Sequence, residues 1–186
     1  MMLVLGAVLS ACGNNDAPQA DKPAGSTPAA TSTVPSPAKA DIPQVKACSL
    51  ITTAEVEAAT GHKAMEPVAQ EERISFCTWG EPDSPMMGGK PLSSVAELSV
   101  FTGGNDYFEG PAAQVNATFD MAAKNAGEIE VVNGLGERAH WTADPPFYTL
   151  RMVKGVYLVE VNVHPDFGGL EAAEKIAKAA LQELPE

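Results

Sequence analysis

Basic residues are scarce in this chain. Twelve Lys and Arg stand against twenty-four Asp and Glu, leaving a formal net charge of −12 over 186 residues. Nucleic acid and flat anionic lipid surfaces are both held by basic patches, so neither is expected as a partner. Catalytic signatures are missing as well. The sequence holds no Gly-x-Ser-x-Gly elbow, no His-Glu-x-x-His and no phosphate-cradling Gly-x-x-x-x-Gly-Lys. A tetrahedral metal site needs four ligands, and two cysteines with no histidine nearby do not supply them. No metal and no cofactor is expected, and the chain does not read as an enzyme.

What is present begins at the N-terminus. Met1 to Val8 are apolar, and Leu9-Ser10-Ala11-Cys12 follows directly. An apolar run closing on small residues ahead of a cleavage point is a secretory-signal pattern. About 11 residues precede Cys12, well short of the roughly 20 that span a bilayer. Leu9 to Cys12 resembles the lipobox of bacterial lipoproteins. That resemblance implies a diacylglyceryl thioether on the Cys12 sulfur, cleavage before it, and a membrane as partner through the lipid. No Lys or Arg precedes the apolar run, which points to a start codon upstream or a trimmed leader. The alternative for Cys12 is a buried free thiol.

From Gly13 to Lys46 the chain is mostly Ala, Pro, Ser, Thr and Asp, with no aromatic residue. Such a segment buries too little apolar surface to offset its ordering entropy and is expected to be disordered. A flexible chain of this length wanders about 30 Å, and reaches roughly 110 Å when extended. It reads as a leash. Gly13 stands where Asp would signal inner-membrane retention, so the outer membrane is favoured if the organism is Gram-negative. Residues 47–186 then make one domain with one core. Lys and Asp cancel in the leash, so this domain carries the whole negative charge.

With Cys12 assigned to lipid, Cys48 and Cys77 remain as an even pair in an exported chain, where disulfides persist. A bridge between them would close a loop of about 30 residues and contribute roughly 3–4 kcal/mol in chain entropy. Two unpaired buried thiols are the alternative.

Thr52 with Glu55 three residues on reads as a capping box, Ile51 as a staple onto Val56, and Gly61 as the helix stop. A second helix fits Pro111 to Ala126, with Ala112, Val115, Phe119, Ala122 and Ala126 inward. A third runs from Gly169 to about Leu184, with Leu170, Ala173, Ile176, Ala177, Ala180, Leu181 and Leu184 inward and Glu171–Lys175 and Glu174–Lys178 exposed. Strands are predicted at 74–79, 94–101, 129–132, 138–142, 147–153 and 156–163. A two-residue turn at Lys154-Gly155 would pair Met152 with Tyr157, Leu150 with Val159 and Tyr148 with Val161. Glu81 to Pro91 reads as a loop. The fold class is α+β, an antiparallel sheet with helices packed on one face, with two helix-plus-strands halves as a further reading.

Cys48-Ser49-Leu50-Ile51-Thr52, Glu55-Val56, Gly61, Cys77-Thr78-Trp79 and Val132-Asn133-Gly134-Leu135-Gly136-Glu137-Arg138-Ala139 together resemble a group of small bacterial envelope lipoproteins. Many come from mycobacteria and their relatives, and the group is known as a domain of unknown function. The resemblance spans about residues 47–184. It implies that Cys48 and Cys77 pair and that the domain is an envelope module. It carries over no catalytic residue.

Candidate sites are few. Trp79, Trp141, Tyr148 and Tyr157, with Phe147, would line a groove for a hydrophobic ligand or peptide; the alternative is that both tryptophans are core. His164, Asp166 and His140 are a conceivable metal or acid–base set, against the simpler reading of surface and cap residues. Glu71-Glu72 and Glu81/Asp83 read as solvated acids. Asn133-Gly134 suits a turn with positive φ at both positions, and Met86-Met87-Gly88-Gly89 is an apolar loop tip able to touch a partner. The leading expectation is a membrane-anchored, non-enzymatic module that binds an envelope protein. A carrier or sensor of a small hydrophobic ligand or peptide is the second.

Overall fold

A computed structural model describes residues 42–104 and 107–186. Cys12 and most of the leash lie outside the described residues. The leash gives way to the domain earlier than expected, because Ile42 and Val45 already pack against the core and Ala47 is fully buried.

Helix α1 (Thr53–Thr60) starts at the expected capping box. The Glu55 N–H donates to the Thr52 hydroxyl at 3.3 Å, and the Thr52 N–H donates to the Glu55 carboxylate at 2.8 Å. Gly61 ends the helix in the left-handed region. Strand β1 (Val68–Glu71), which the sequence reading missed, precedes β2 (Ile74–Gly80). The expected loop at 81–91 contains a small hairpin, β3 (Met86–Met87) and β4 (Lys90–Pro91), turned by Gly88 and Gly89, both at positive φ. Strand β5 (Ser94–Thr102), helix α2 (Pro111–Asn125), strands β6 (Ile129–Val131), β7 (Arg138–Asp144), β8 (Phe147–Lys154) and β9 (Tyr157–Asn162), and helix α3 (Gly169–Glu183) follow.

Seven strands form one antiparallel sheet in the order β1-β2-β5-β9-β8-β7-β6. The fold is α+β. Two meanders, one following α1 and one following α2, meet at the β5–β9 pairing. The β8–β9 hairpin turns one residue later than expected, so Met152 pairs with Val159 and Leu150 with Val161. Gly155, at φ 57°, takes the first turn position instead of the second. Because both partners slip together by an even number of residues, the inward face is unchanged.

That inward face holds Cys77, Trp79, Leu98, Val100, Trp141, Leu150, Met152, Val159 and Val161, and α1 and α3 close over it. Ile176, Ala173, Ala177 and Ala180 of α3 are buried there as the helical spacing predicts, while Leu170 and Leu181 sit half-buried at its margin. Helix α2 does not join them. Its Val115 and Phe119 cluster with Val153, Leu158 and Phe101, the alternate strand positions, so α2 packs on the opposite face. The expectation of helices on one face therefore fails for α2. Only Val115 and Phe119 of its expected inner face are fully buried, and Ala112 is exposed. The α2 face is the more lightly covered one, and polar residues line its open part.

Candidate functional site

The sequence-predicted sites separate cleanly. Cys48 and Cys77 form a disulfide with Cα atoms 5.0 Å apart, tying the turn before α1 to β2. Trp79, Trp141 and Tyr157 do not line a groove. They alternate on the strand face that α1 and α3 cover, and their exposures are 0%, 7% and 3%. Tyr148 alone of the four reaches an open cleft, its ring 6.5 Å from that of Trp141. The side chain of Phe147 lies outside the described residues. The set of His164, Asp166 and His140 is also split. His164 caps a short 3-10 turn, its Nδ1 accepting from the Asp166 N–H at 3.3 Å. His140 lies on β7, on the face that packs against α2.

A cleft of about 680 Å³ opens where β5 begins and β9 ends. Its carboxylates are Glu81, Glu97 and Asp166, its imidazoles are His62 and His164, and neither Lys nor Arg lines it. Two edge-to-face ring pairs stand in its wall, Tyr148 against His164 at 4.9 Å and His62 against Phe167 at 5.0 Å. Glu81 accepts a hydrogen bond from the Ser93 hydroxyl. Leu92, exposed just beyond the β3–β4 hairpin, joins the lining.

Glu97 and Asn162 link this cleft to a polar row across the sheet. Thr78, Glu97, Asn162, Thr149 and Thr142 are direct register partners on β2, β5, β9, β8 and β7. The Glu97 carboxylate accepts from the Thr78 hydroxyl at 3.1 Å, from Lys90 Nζ at 3.3 Å and from Asn162 Nδ2 at 3.2 Å. The Thr149 hydroxyl donates to Asn162 Oδ1 at 2.6 Å. In the neighbouring row Arg151 Nε donates to Glu160 at 2.5 Å. Each polar atom here is met by another, so the row is rigid and satisfied rather than merely solvated.

Residues 7–134 match the family described as "Protein of unknown function (DUF3558)". The chain belongs to that family. The match begins ahead of Cys12 and ends at Gly134, so β7, β8, β9 and α3 lie beyond it. No curated protein matches the chain. Among solved structures, it resembles a GTP binding regulator from Thermotoga maritima at 6% identity and a TM-score of 0.40, over 71% of this chain and 89% of that one. It also resembles the extracellular domain of PknH from Mycobacterium tuberculosis at 15% identity and a TM-score of 0.38, over 73% and 94%. Similarity at this level assigns neither a fold nor a function.

Among the described residues, no group of three or more His, Cys, Asp or Glu is placed to hold a metal ion, and no helix is long and apolar enough to cross a membrane. The residues that sequence reading missed at the cleft are His62, Glu97 and Asn162. Glu97 and Asn162 look like ordinary outward positions of amphipathic strands, and only the cross-strand register reveals their partnership.

Proposed function

We propose that this chain is an extracytoplasmic, lipid-tethered module that acts by binding and not by catalysis, and that the cleft at the ends of β5 and β9 receives a cationic group of an envelope protein. The observation that carries the reading is the cleft lining of Glu81, Asp166 and Glu97, the last already paired with Lys90, beside two aromatic–imidazole pairs and with neither Lys nor Arg in the lining itself. Such a lining attracts a Lys or Arg side chain through charge and offers ring faces to its cation. The net charge of −12 adds long-range steering toward a basic partner. The Cys48–Cys77 disulfide supports an oxidising compartment, and the lipobox-like Leu9 to Cys12 supports the anchor. Loss of palmitate labelling in Cys12→Ser is the expected result for that anchor.

The binding reading is tested by crosslinking the full chain in envelope extracts, beside Glu81→Gln/Asp166→Asn. A defined partner should be captured by the unmodified chain, displaced by free lysine amide, and lost or much reduced with the double variant. Capture that is indifferent to both the variant and the competitor would refute the cleft as the binding site.

A further inference from the structure

On the α2 face a second chamber of about 340 Å³ lies between α2 and β6, and neither the cleft nor the tether explains it. Phe119 and Ala123 line it from the helix, Ile129 and Val131 from β6, and Val132 and Leu135 from the connection to β7. Asn133, Glu137 and Arg138, all exposed, also line it, and one polar side chain of the lining is buried. His140 lines it too, is only 2% exposed, and neither of its ring nitrogens has a hydrogen-bond partner. Two buried and unsatisfied polar atoms are costly, and such atoms in a native structure call for an explanation. Nearby groups do not supply one. Phe119 meets the imidazole edge-to-face at 4.6 Å, Arg151 is committed to Glu160, and Arg138 stacks on Phe119 while donating to Asn116 and Asp120.

We propose that this chamber binds a small apolar molecule bearing one hydroxyl group, an alcohol or phenol, with His140 as its hydrogen-bonding partner. A neutral imidazole has one donor and one acceptor, and a hydroxyl both donates and accepts, so the two match in either tautomer. Burial, then the charges of Arg151 and Arg138, push the His140 pKa below its ordinary value and keep the ring neutral. The volume holds roughly eleven groups the size of a water molecule, the scale of a single ring or a short chain. Ile129 and Val131, both exposed on the edge strand, give the ligand an apolar rim to enter over.

The probe is p-cresol, with toluene as the analogue lacking the hydroxyl. Binding to the full chain is followed through the imidazole nitrogens of His140 by NMR. Saturable shifts at His140 with p-cresol are expected. The ratio of p-cresol to toluene affinity should fall at least about tenfold in His140→Leu, the loss of one buried hydrogen bond. Ala123→Leu fills the chamber from the helix while leaving His140 in place, and should abolish binding of both compounds. Absence of saturable His140 shifts at about 10 mM p-cresol, beyond the range of a useful site, would overturn the proposal. An unchanged affinity ratio in His140→Leu, or full binding to Ala123→Leu, would do so equally. None of these outcomes depends on the cleft at the ends of β5 and β9.

Discussion

Acid should weaken this domain through His140, and the size of the effect follows from its surroundings. The ring faces Phe119 from α2, Arg151 from β8 and Arg138 from its own strand, with Val131 opposite it on β6 and Glu137 on the same chamber wall. Burial and the two guanidinium charges lower its pKa from the ordinary 6.5. A histidine whose folded-state pKa is depressed is neutral in the fold and takes up its proton mainly on unfolding. Stability is therefore full above 6.5 and declines as the pH falls toward the folded value. If the folded ring stays neutral, moving from pH 7.5 to 5.5 removes about 1.4 kcal/mol, one decade of proton binding. With a urea slope of about 1–3 kcal/mol per molar, that limit lowers the midpoint by roughly 0.5–1.4 M. Carboxylates and the other histidines also contribute, so the measurement is a difference between the native chain and His140→Leu by urea unfolding at both values. The variant should lose less on acidification, by up to about 1.4 kcal/mol. It should also equal or exceed the native stability at pH 7.5, because an apolar side chain leaves no unpaired ring nitrogen. Equal losses in both proteins would refute the burial argument.

Cys48→Ser/Cys77→Ser opens a bridge between residues 29 apart and should cost roughly 3–4 kcal/mol in urea or thermal unfolding. Gly136→Ala places a Cβ 2.2 Å from the Val153 carbonyl oxygen at φ 58° and should cost about 3 kcal/mol or more. Gly134→Ala, at φ 81° with nothing within 4 Å, should cost only about 1–2 kcal/mol. Equal losses at the two glycines would contradict the close approach. Thr52→Ala removes the hydroxyl that accepts from Glu55 N–H and should cost about 1 kcal/mol, read from the same unfolding curves.

The parts of the fold legible in the sequence are those where local chemistry decides. Thr52, Glu55 and Gly61 fix α1 by capping alone, and the alternation on β5, β7, β8 and β9 marks their inward face without knowledge of any partner. Besides the short β3–β4 hairpin, two features escaped for physical reasons. Val68-Ala69-Gln70-Glu71 is a half-exposed edge strand, stabilised by its ladder with β2 and not by its own pattern. The side of the sheet taken by α2 is likewise nonlocal. An amphipathic stripe of Val115 and Phe119 fits either face, and the choice is made by Val153, Leu158 and Phe101 at positions that look outward in each strand taken singly.

That choice also decides which candidate residues acquire a role. Aromatic residues drew the eye in the sequence, yet Trp79, Trp141 and Tyr157 share the strand parity of the main core and are consumed by it. Residues of the other parity stand on the lightly covered face. There α2 shields one row, Phe101, Leu158 and Val153, leaving the row of Thr78, Glu97, Asn162, Thr149 and Thr142 to form a satisfied polar surface leading to the cleft. The row between them runs Phe76, Ser99, Glu160, Arg151 and His140. In it Arg151 finds Glu160, but His140 at the end, beneath Phe119, finds no hydrogen-bonding group. A sheet face that satisfies Glu97, Asn162, Glu160 and Arg151 and leaves one buried imidazole unmet holds unspent hydrogen-bonding capacity at that imidazole, beside a chamber of ligand size. Parity and row position, more than residue type, therefore separate the core aromatics of this protein from the side chains able to recognise something else.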